Sequence, residues 1–261
     1  MLIRSPVVAG TFYPNEPIAL KKMIEDFLAK ATIEKHKNQP KALIVPHAGY
    51  IYSGQTAAYA FKTLRGYSYE KIIILGPSHH FSFIGLASAP KGFWETPLGK
   101  IETIAKEDFK NLKNNSEIKE SAEIHEIEHC LEVELPFLQI ILNDFKIFPL
   151  LTGALNPVIT AKIIREILTE NSVLIISSDL SHYLPYKEAQ MLDKVTLDAI
   201  LANDFERFKK FGDACGKTAI EILISISQAK NWRPKLLKYS NSGETTNEKQ
   251  AVVGYASIVY Y

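Results

Sequence analysis

Cysteine is scarce in this 261-residue sequence, which contains only Cys130 and Cys215. Proteins built on a disulfide framework carry many more cysteines for their length, so no such framework is predicted. Long apolar runs are also lacking: residues 72–75 and 173–176 fall far short of the roughly 20 residues that a membrane helix needs. The first residues contain no apolar core of signal-peptide length. We therefore expect a cytoplasmic location and no membrane attachment.

An excess of charge of either sign is missing too. Lysine and arginine number 30 against 29 acidic residues, which gives a formal net charge of +1. This balance provides no global field that would attract a nucleic-acid backbone or an anionic bilayer. Hydrophobic residues make up 46% of the chain, which is typical of globular proteins and unlike disordered ones. We expect a folded protein that binds neither nucleic acid nor membranes.

Short apolar runs alternate along the chain with longer segments of helical periodicity. This alternation predicts an α/β fold with a largely parallel sheet and helices on both of its faces. Because no repeat or linker divides the sequence, residues 1–261 are expected to form one domain. The predicted strands are Ala42–Val45, Lys71–Leu75, Ile84–Ala87, Lys146–Leu151, Val173–Ser177, Leu236–Tyr239 and Val252–Tyr260. The predicted helices are Ile18–Ala29, Gln55–Leu64, Cys130–Leu142, Pro157–Leu168, Lys187–Leu201, Phe205–Phe211 and Lys217–Gln228.

Three segments between or within these elements carry more specific expectations. Pro136 lies inside the predicted helix Cys130–Leu142 and should kink it, because proline removes a helical hydrogen bond. The polar stretch Lys106–Glu123 is expected to form a helix and a surface connection. Asn241–Gln250 is expected to form a solvated, hairpin-like loop between two late strands.

Histidines and one aspartate follow three of the predicted strands. His47 comes after Ala42–Val45, His79 after Lys71–Leu75, and Asp179 and His182 after residues 173–177. A lone histidine at such a place is usually a structural hydrogen-bonding group. Ligands of open α/β sheets, however, bind beyond the carboxyl ends of the strands, where these side chains should meet. Three histidines in this pattern favour a functional site, with their ring nitrogens facing one cavity.

Cys215 precedes a predicted helix and is flanked by a glycine and charged residues. A helix amino terminus favours a thiolate, so we expect a free thiol of low pKa rather than a buried apolar group. His129 and Glu132 are three residues apart and would share one helical face, a spacing equally common on solvated helices. His36 and His125 lie in charged stretches and are expected to be exposed to solvent.

Two histidines and one thiolate would leave open coordination positions on a bound metal ion, as in working rather than structural sites. Imidazole and thiolate ligands suit iron, copper and zinc, so this reasoning leaves the metal undecided. Asp179 and His182 would then orient the ligands or act as general acid and base.

Several longer motifs occur in a specific order along the chain. The motifs are AGTFYP at 9–14, PHAGY at 46–50, YSG at 52–54, LGPSHH at 75–80, EHCLEVELPF at 128–137, SSDLSHY at 177–183 and ACG at 214–216. Together they resemble the Memo family (mediator of cell motility), which occurs in archaea, bacteria and animals.

The resemblance implies a fold similar to that of the class III extradiol dioxygenases, a mixed sheet flanked by helices. By motif, His47, His79 and Cys215 match the metal ligands of the family, with cysteine in place of the carboxylate of those dioxygenases. Asp179 and His182 match residues of its pocket.

Further pocket residues are expected from the same motifs. Phe12 stands where animal relatives place a tryptophan, and it would keep an apolar wall without the indole N–H donor. His129 matches another histidine of the family, and Tyr50 is expected to line the pocket as well.

The resemblance also indicates cofactors and partners. Iron or copper is the expected metal, with zinc as the alternative. In prokaryotes the family is linked with a radical S-adenosylmethionine protein, and the ligand of the cleft is an unidentified small molecule or peptide.

The favoured hypothesis is metal-dependent redox chemistry. An iron or copper ion held by His47, His79 and Cys215 would activate dioxygen or a bound substrate, and His182, oriented by Asp179, would transfer protons. One alternative is a non-catalytic module that binds a peptide or an anion. The other is a zinc-dependent hydrolase that uses metal-bound water.

Overall fold

The chain forms a large sheet, a small sheet and surrounding helices in a computed structural model that describes residues 2–34 and 36–261. The strands are β1 (Leu2–Arg4), β2 (Ala42–Val45), β3 (Lys71–Pro77), β4 (Leu86–Ser88), β5 (Gly92–Thr96), β6 (Gly99–Glu102), β7 (Ile118–Glu120), β8 (Lys146–Thr152), β9 (Ser172–Ser177), β10 (His182–Leu184), β11 (Pro234–Asn241) and β12 (Val252–Tyr260). The helices are α1 (Pro17–Lys30), α2 (Tyr50–Lys62), α3 (Ala122–Glu126), α4 (Leu135–Ile141), α5 (Pro157–Ile167), α6 (Tyr186–Leu201), α7 (Phe205–Phe211), α8 (Lys217–Lys230) and α9 (Gly243–Thr246).

The large sheet is mixed, with a parallel centre. Its strand order is β10-β12-β2-β9-β3-β8-β4-β7, and β11 also pairs with β12. Strands β2, β9, β3 and β8 run parallel to one another, whereas β12 and β4 run antiparallel to the central strands they pair with. The small sheet has the order β1-β5-β6. The prediction of an α/β fold with a mixed, largely parallel sheet is confirmed.

Helices cover both faces of the large sheet, which explains why its central strands are continuous apolar runs. In β2, Leu43 and Val45 belong to one core, with residues of α1, α2 and α4. Ala42 and Ile44 belong to the other core, with residues of α5, α6 and α8. None of the helices in the described ranges is long and apolar enough to cross a membrane.

Helix α2 begins at Tyr50, five residues before the start predicted at Gln55. Gly54 therefore lies inside the helix, where glycine is unfavourable unless packing requires it. A Cβ atom added at Gly54 would lie 2.5 Å from a ring carbon of Phe27 on α1. The glycine thus allows α1 and α2 to pack closely, and the helix extends back to the loop that carries His47.

The kinked helix predicted over Cys130–Leu142 is present only in its second half, and the predicted kink is wrong. A 3-10 turn over Glu132–Glu134 leads into α4, which starts at Leu135. Pro136 therefore lies in the first turn, where its missing N–H costs no hydrogen bond and its fixed φ suits the helix. Proline here starts the helix rather than bending it.

The helix expected within Lys106–Glu123 is also wrong. The stretch contains a 3-10 turn at Lys106–Asp108, strand β7 and the start of α3. The small sheet was not predicted. Strand β1 has only three residues. Strands β5 and β6 form a hairpin whose tight turn ends at Gly99, a residue with a φ of +125° that favours glycine. The loop expected at Asn241–Gln250 does join the antiparallel strands β11 and β12, and it contains α9.

Candidate functional site

The carboxyl ends of β2, β9 and β3 lie side by side and bring together side chains that are distant in sequence. His47, Asp179 and His79 each follow the last residue of one of these strands by two positions. His182 lies on β10, next to Val253 at the start of β12, rather than directly at a strand end. All four residues line one cavity with a volume of about 420 Å³. The shared crevice expected from strand ends is therefore present.

Cys215 reaches this site from the loop before α8. Its Sγ lies 3.3 Å from Nε2 of His47. One ligand atom each from His47, His79 and Cys215 lie within 4.8 Å of one another, close enough to share one metal ion. His47 is buried, Cys215 is partly buried, and the side chain of His79 is 31% exposed. The three ligand-type groups thus form a cluster that is open on one side.

The ring of His47 is held by groups at the end of β9. Its Nδ1 lies 2.8 Å from Oγ of Ser177, and its backbone N–H donates to Oδ1 of Asp179 at 2.9 Å. Burial lowers the pKa of His47 well below its usual value, and the neighbouring His129 and His79 lower it further. The ring is therefore neutral, with Nε2 directed toward Cys215.

Glu128 orients two histidines of the site. Its Oε1 lies 2.9 Å from Nδ1 of His79 and 3.2 Å from Nδ1 of His129, and its Oε2 accepts the backbone N–H of His79. Burial opposes ionisation of Glu128, but hydrogen bonds from His129 and His79 hold its pKa well below the usual range. The ionised carboxylate therefore fixes a proton on Nδ1 of His79 and leaves Nε2 available.

His79, Glu128 and His129 form a second group with ligand atoms within 4.8 Å of one another. Oε1 of Glu128 also accepts the backbone N–H groups of His129 and Cys130. Oε1, which faces both ring nitrogens and these two N–H groups, has no lone pair left for a cation. We therefore interpret Glu128 as support for the histidines rather than as part of a second metal site.

The thiol of Cys215 does not have the low pKa expected from its place before a helix. Burial raises its pKa to about 12, and the nearby Asp179 carboxylate also raises it, although hydrogen bonds from Ser178 and from backbone N–H groups act in the opposite direction. In the metal-free chain, burial and the Asp179 carboxylate outweigh these hydrogen bonds. Cys215 and Cys130 are both free cysteines, as predicted.

Asp179 supports His47 rather than His182. It accepts the backbone N–H of His47, and no hydrogen bond joins it to the His182 ring in the part of the chain that the structure describes. Burial raises the pKa of Asp179 to about 6, against the opposing effects of His182 and of hydrogen bonds from the loop of His47. The orienting role expected toward His182 is therefore not seen.

The remaining pocket residues divide into two groups. Phe12 and His129 line the cavity, with their rings in an edge-on contact at 4.9 Å. Tyr50 does not line it: its ring is buried in the core, and its hydroxyl donates to the carbonyl of Val133 at 2.7 Å. Tyr52 lines the cavity instead. The expectation for Tyr50 is wrong because the first turn of α2 directs that side chain inward.

Sequence reasoning missed Glu128 and Ser177 as supporting residues. Glu128 directly precedes His129, and Ser177 is the polar last residue of an apolar strand, so each had a weak local signal. His125, expected to be solvated, is buried, and its Nε2 lies 3.0 Å from the carbonyl of Ala87. His36 is exposed, as predicted.

Comparisons with known proteins agree with the motifs. A family model described as Memo-like protein matches residues 4–259. The sequence is 36% identical to a MEMO1 family protein of Thermoplasma volcanium in an alignment 269 residues long, gaps included, that covers 99% of this chain and 98% of the relative. It is 35% identical to MEMO1 family proteins of Archaeoglobus fulgidus, with 99% of both chains covered, and of Aquifex aeolicus, with 100% of both covered. The chain therefore belongs to the Memo family.

Proposed function

We propose that this chain is a metal-dependent oxidoreductase in which His47, His79 and Cys215 hold one iron or copper ion. The observation that carries the proposal is that one ligand atom from each residue lies within 4.8 Å of the others, and that His47 and His79 line a cavity. Imidazole and thiolate ligands suit both metals. Three protein ligands leave coordination positions open toward the cavity, as a reactive site requires.

In this proposal the metal supplies a redox-active centre that exchanges electrons with dioxygen or with a bound substrate. His182 lines the cavity and, among the described residues, its ring has no side-chain partner in a hydrogen bond, so it can accept or donate a proton there. Asp179 also lines the cavity, where its carboxyl group can exchange a proton with a bound molecule. Phe12 contributes an apolar side chain to the lining of the same cavity.

The metal itself tests this function. Protein purified without a chelating tag should contain a single iron or copper ion per chain, and the metal-free protein should bind either ion in a titration. Zinc as the bound metal would overturn the redox assignment in favour of a hydrolase that uses metal-bound water. Failure to bind any of the three ions would overturn it in favour of a non-catalytic binding module.

Cys215→Ser tests the proposed ligand set. A neutral hydroxyl replaces a soft ligand, so affinity for iron or copper should fall by more than the roughly 10–100-fold that loss of a supporting residue costs. The unfolding temperature should change little without metal, but the metal-linked stabilisation, about 2.7 kcal/mol at 100 times Kd, should disappear.

Cys130→Ser is the matched control, because Cys130 is buried and its thiol donates to the carbonyl of Pro77, a contact that a serine hydroxyl can keep. This variant should bind metal as the parent does. In the parent, bound metal should also protect Cys215 from thiol alkylation. Equal metal affinity in the parent and in Cys215→Ser would remove Cys215 from the ligand set.

A further inference from the structure

Ser177, the last residue of β9, makes three polar contacts with its hydroxyl group. Its Oγ lies 2.8 Å from Nδ1 of His47, 2.7 Å from the carbonyl oxygen of Cys130 and 2.9 Å from Oε1 of Glu134. The Ser177 side chain is completely buried. The hydroxyl therefore links a proposed metal ligand to a carboxyl group that does not line the cavity.

The number of protons in these contacts is limited. A serine hydroxyl has one proton to donate and two lone pairs that accept. The carbonyl of Cys130 can only accept, so it takes the proton of Ser177. The other two contacts are hydrogen bonds only if both partners donate to Ser177 Oγ. Nδ1 of His47 and Oε1 of Glu134 must then each carry a proton.

The surroundings of Glu134 fit a neutral acid. The residue is 1% exposed, and its Oε2 is buried with no hydrogen-bond partner among the residues that the structure describes. No lysine, arginine or histidine forms an ion pair with Glu134 within the ranges 2–34 and 36–261. An ionised carboxylate with one unpartnered oxygen would be costly in this interior, whereas a carboxylic acid leaves only a carbonyl oxygen without a partner. Burial raises the pKa of Glu134 well above its usual value, against the opposing effect of its hydrogen bond with Ser177, and the nearby Asp179 raises it further.

We propose that Glu134 and Ser177 are positioning residues for His47. Glu134 remains a neutral carboxylic acid and donates its proton to Ser177, which in turn holds His47 with its ring proton on Nδ1. Nε2, the atom 3.3 Å from Sγ of Cys215, is then the free ligand atom. The use of Nε2 rests on the proposed metal-binding function, but the arrangement of protons belongs to the metal-free chain and can be measured there.

The protonation of Glu134 is tested first, in the metal-free full-length protein at neutral pH. Infrared difference spectra between the parent and Glu134→Gln should show that the variant loses the carbonyl stretch of a carboxylic acid. The glutamine stays neutral and can donate to Ser177, so this variant should fold. Glu126→Gln, a change at an exposed carboxylate, should lose carboxylate bands instead. Loss of carboxylate bands in Glu134→Gln would overturn the proposal.

The proton position on His47 is tested by ¹⁵N NMR of the imidazole nitrogens. In the metal-free parent, Nδ1 of His47 should carry the proton. A predominance of the Nε2–H form would overturn the proposal, and this measurement does not depend on the folding of any variant. Ser177→Ala should give a mixture of both forms. Ser181→Ala is the matched control, because its buried hydroxyl has no hydrogen-bond partner among the described residues. It should keep the parent form.

Metal affinity is the second property to measure in the same variants. Iron or copper affinity should fall about 10–100-fold in Ser177→Ala, as for other groups that orient a ligand, and should stay near the parent value in Ser181→Ala and Glu134→Gln. Unchanged affinity and an unchanged tautomer in folded Ser177→Ala would overturn the positioning role. If the parent protein carries protons on Glu134 and on Nδ1 of His47 but binds no metal, the proposed metal-dependent function is overturned and the proton arrangement stands.

Discussion

Glu128 and His79 form a carboxylate–histidine pair, with 2.9 Å between Oε1 and Nδ1. The same carboxylate contacts the His129 ring and accepts two backbone N–H groups of its own loop. In metal sites such a pair fixes the ring orientation and leaves the other nitrogen of the imidazole for the ion. Ser177 supports His47 in the same way, because its Oγ lies 2.8 Å from Nδ1 of that ring. A carboxylate therefore supports the half-exposed ligand, and a hydroxyl supports the buried one.

Glu128→Gln should weaken metal binding about 10–100-fold. Both carboxylate oxygens of Glu128 accept hydrogen bonds. In the glutamine variant one of them is replaced by an NH2 group, which cannot accept a hydrogen bond from the N–H group that it faces. The ring of His79 then loses its fixed orientation. Isothermal titration with iron or copper measures the effect, and Glu126→Gln, at an exposed position two residues earlier, should bind as the parent does. Equal affinities in the two variants would contradict the orienting role.

Arg4→Met should lower the free energy of unfolding by about 3–5 kcal/mol, because it leaves a buried carboxylate without its cation. The guanidinium of Arg4 lies 2.7 Å from Oε2 of Glu132, and the Glu132 side chain is completely buried. Urea unfolding at neutral pH measures the loss. Lys146→Met is the control, because its ion pair with Glu102 is exposed and should contribute less than about 1 kcal/mol. Similar losses in both variants would show that the buried Arg4–Glu132 pair contributes no more to the free energy of unfolding than an exposed ion pair.

The sequence allowed the centre of the site to be predicted for a simple physical reason. His47, His79 and Asp179 follow apolar strands, and parallel strands end at one edge of a sheet, so their positions along the chain determine their convergence. The central strands were recognisable because burial on both faces requires continuous apolar runs.

The support of the site could not be predicted in the same way. Glu128, Glu132 and Glu134 lie within seven residues, yet the first orients His79, the second pairs with Arg4 and the third contacts Ser177. These partners come from remote parts of the chain, and local spacing does not specify which of them each carboxyl group meets. The predicted helix over this segment would have placed His129 and Glu132 on one face, whereas His129 precedes the 3-10 turn that begins at Glu132, and the two side chains contact different partners.

His125 makes the stability of the fold depend on pH. Burial lowers the pKa of His125 to about 4, and the positive charge of Arg4 lowers it further, against a hydrogen bond with the carbonyl of Ala87. In the unfolded chain the pKa of histidine is about 6.5. Below that pH the unfolded state binds a proton that the native state does not, so the free energy of unfolding falls as the pH is lowered toward 4.

His125→Gln should remove this part of the pH dependence, because glutamine does not titrate and its amide can still donate to the Ala87 carbonyl. Between pH 7 and pH 4 the parent should lose about 3 kcal/mol more than the variant, the free-energy equivalent of the difference between the two pKa values. Urea unfolding across this range measures both curves, and carboxylates that titrate in both proteins cancel in the difference. Parallel curves would mean that His125 is protonated in the native state, which its burial beside Trp94 should prevent.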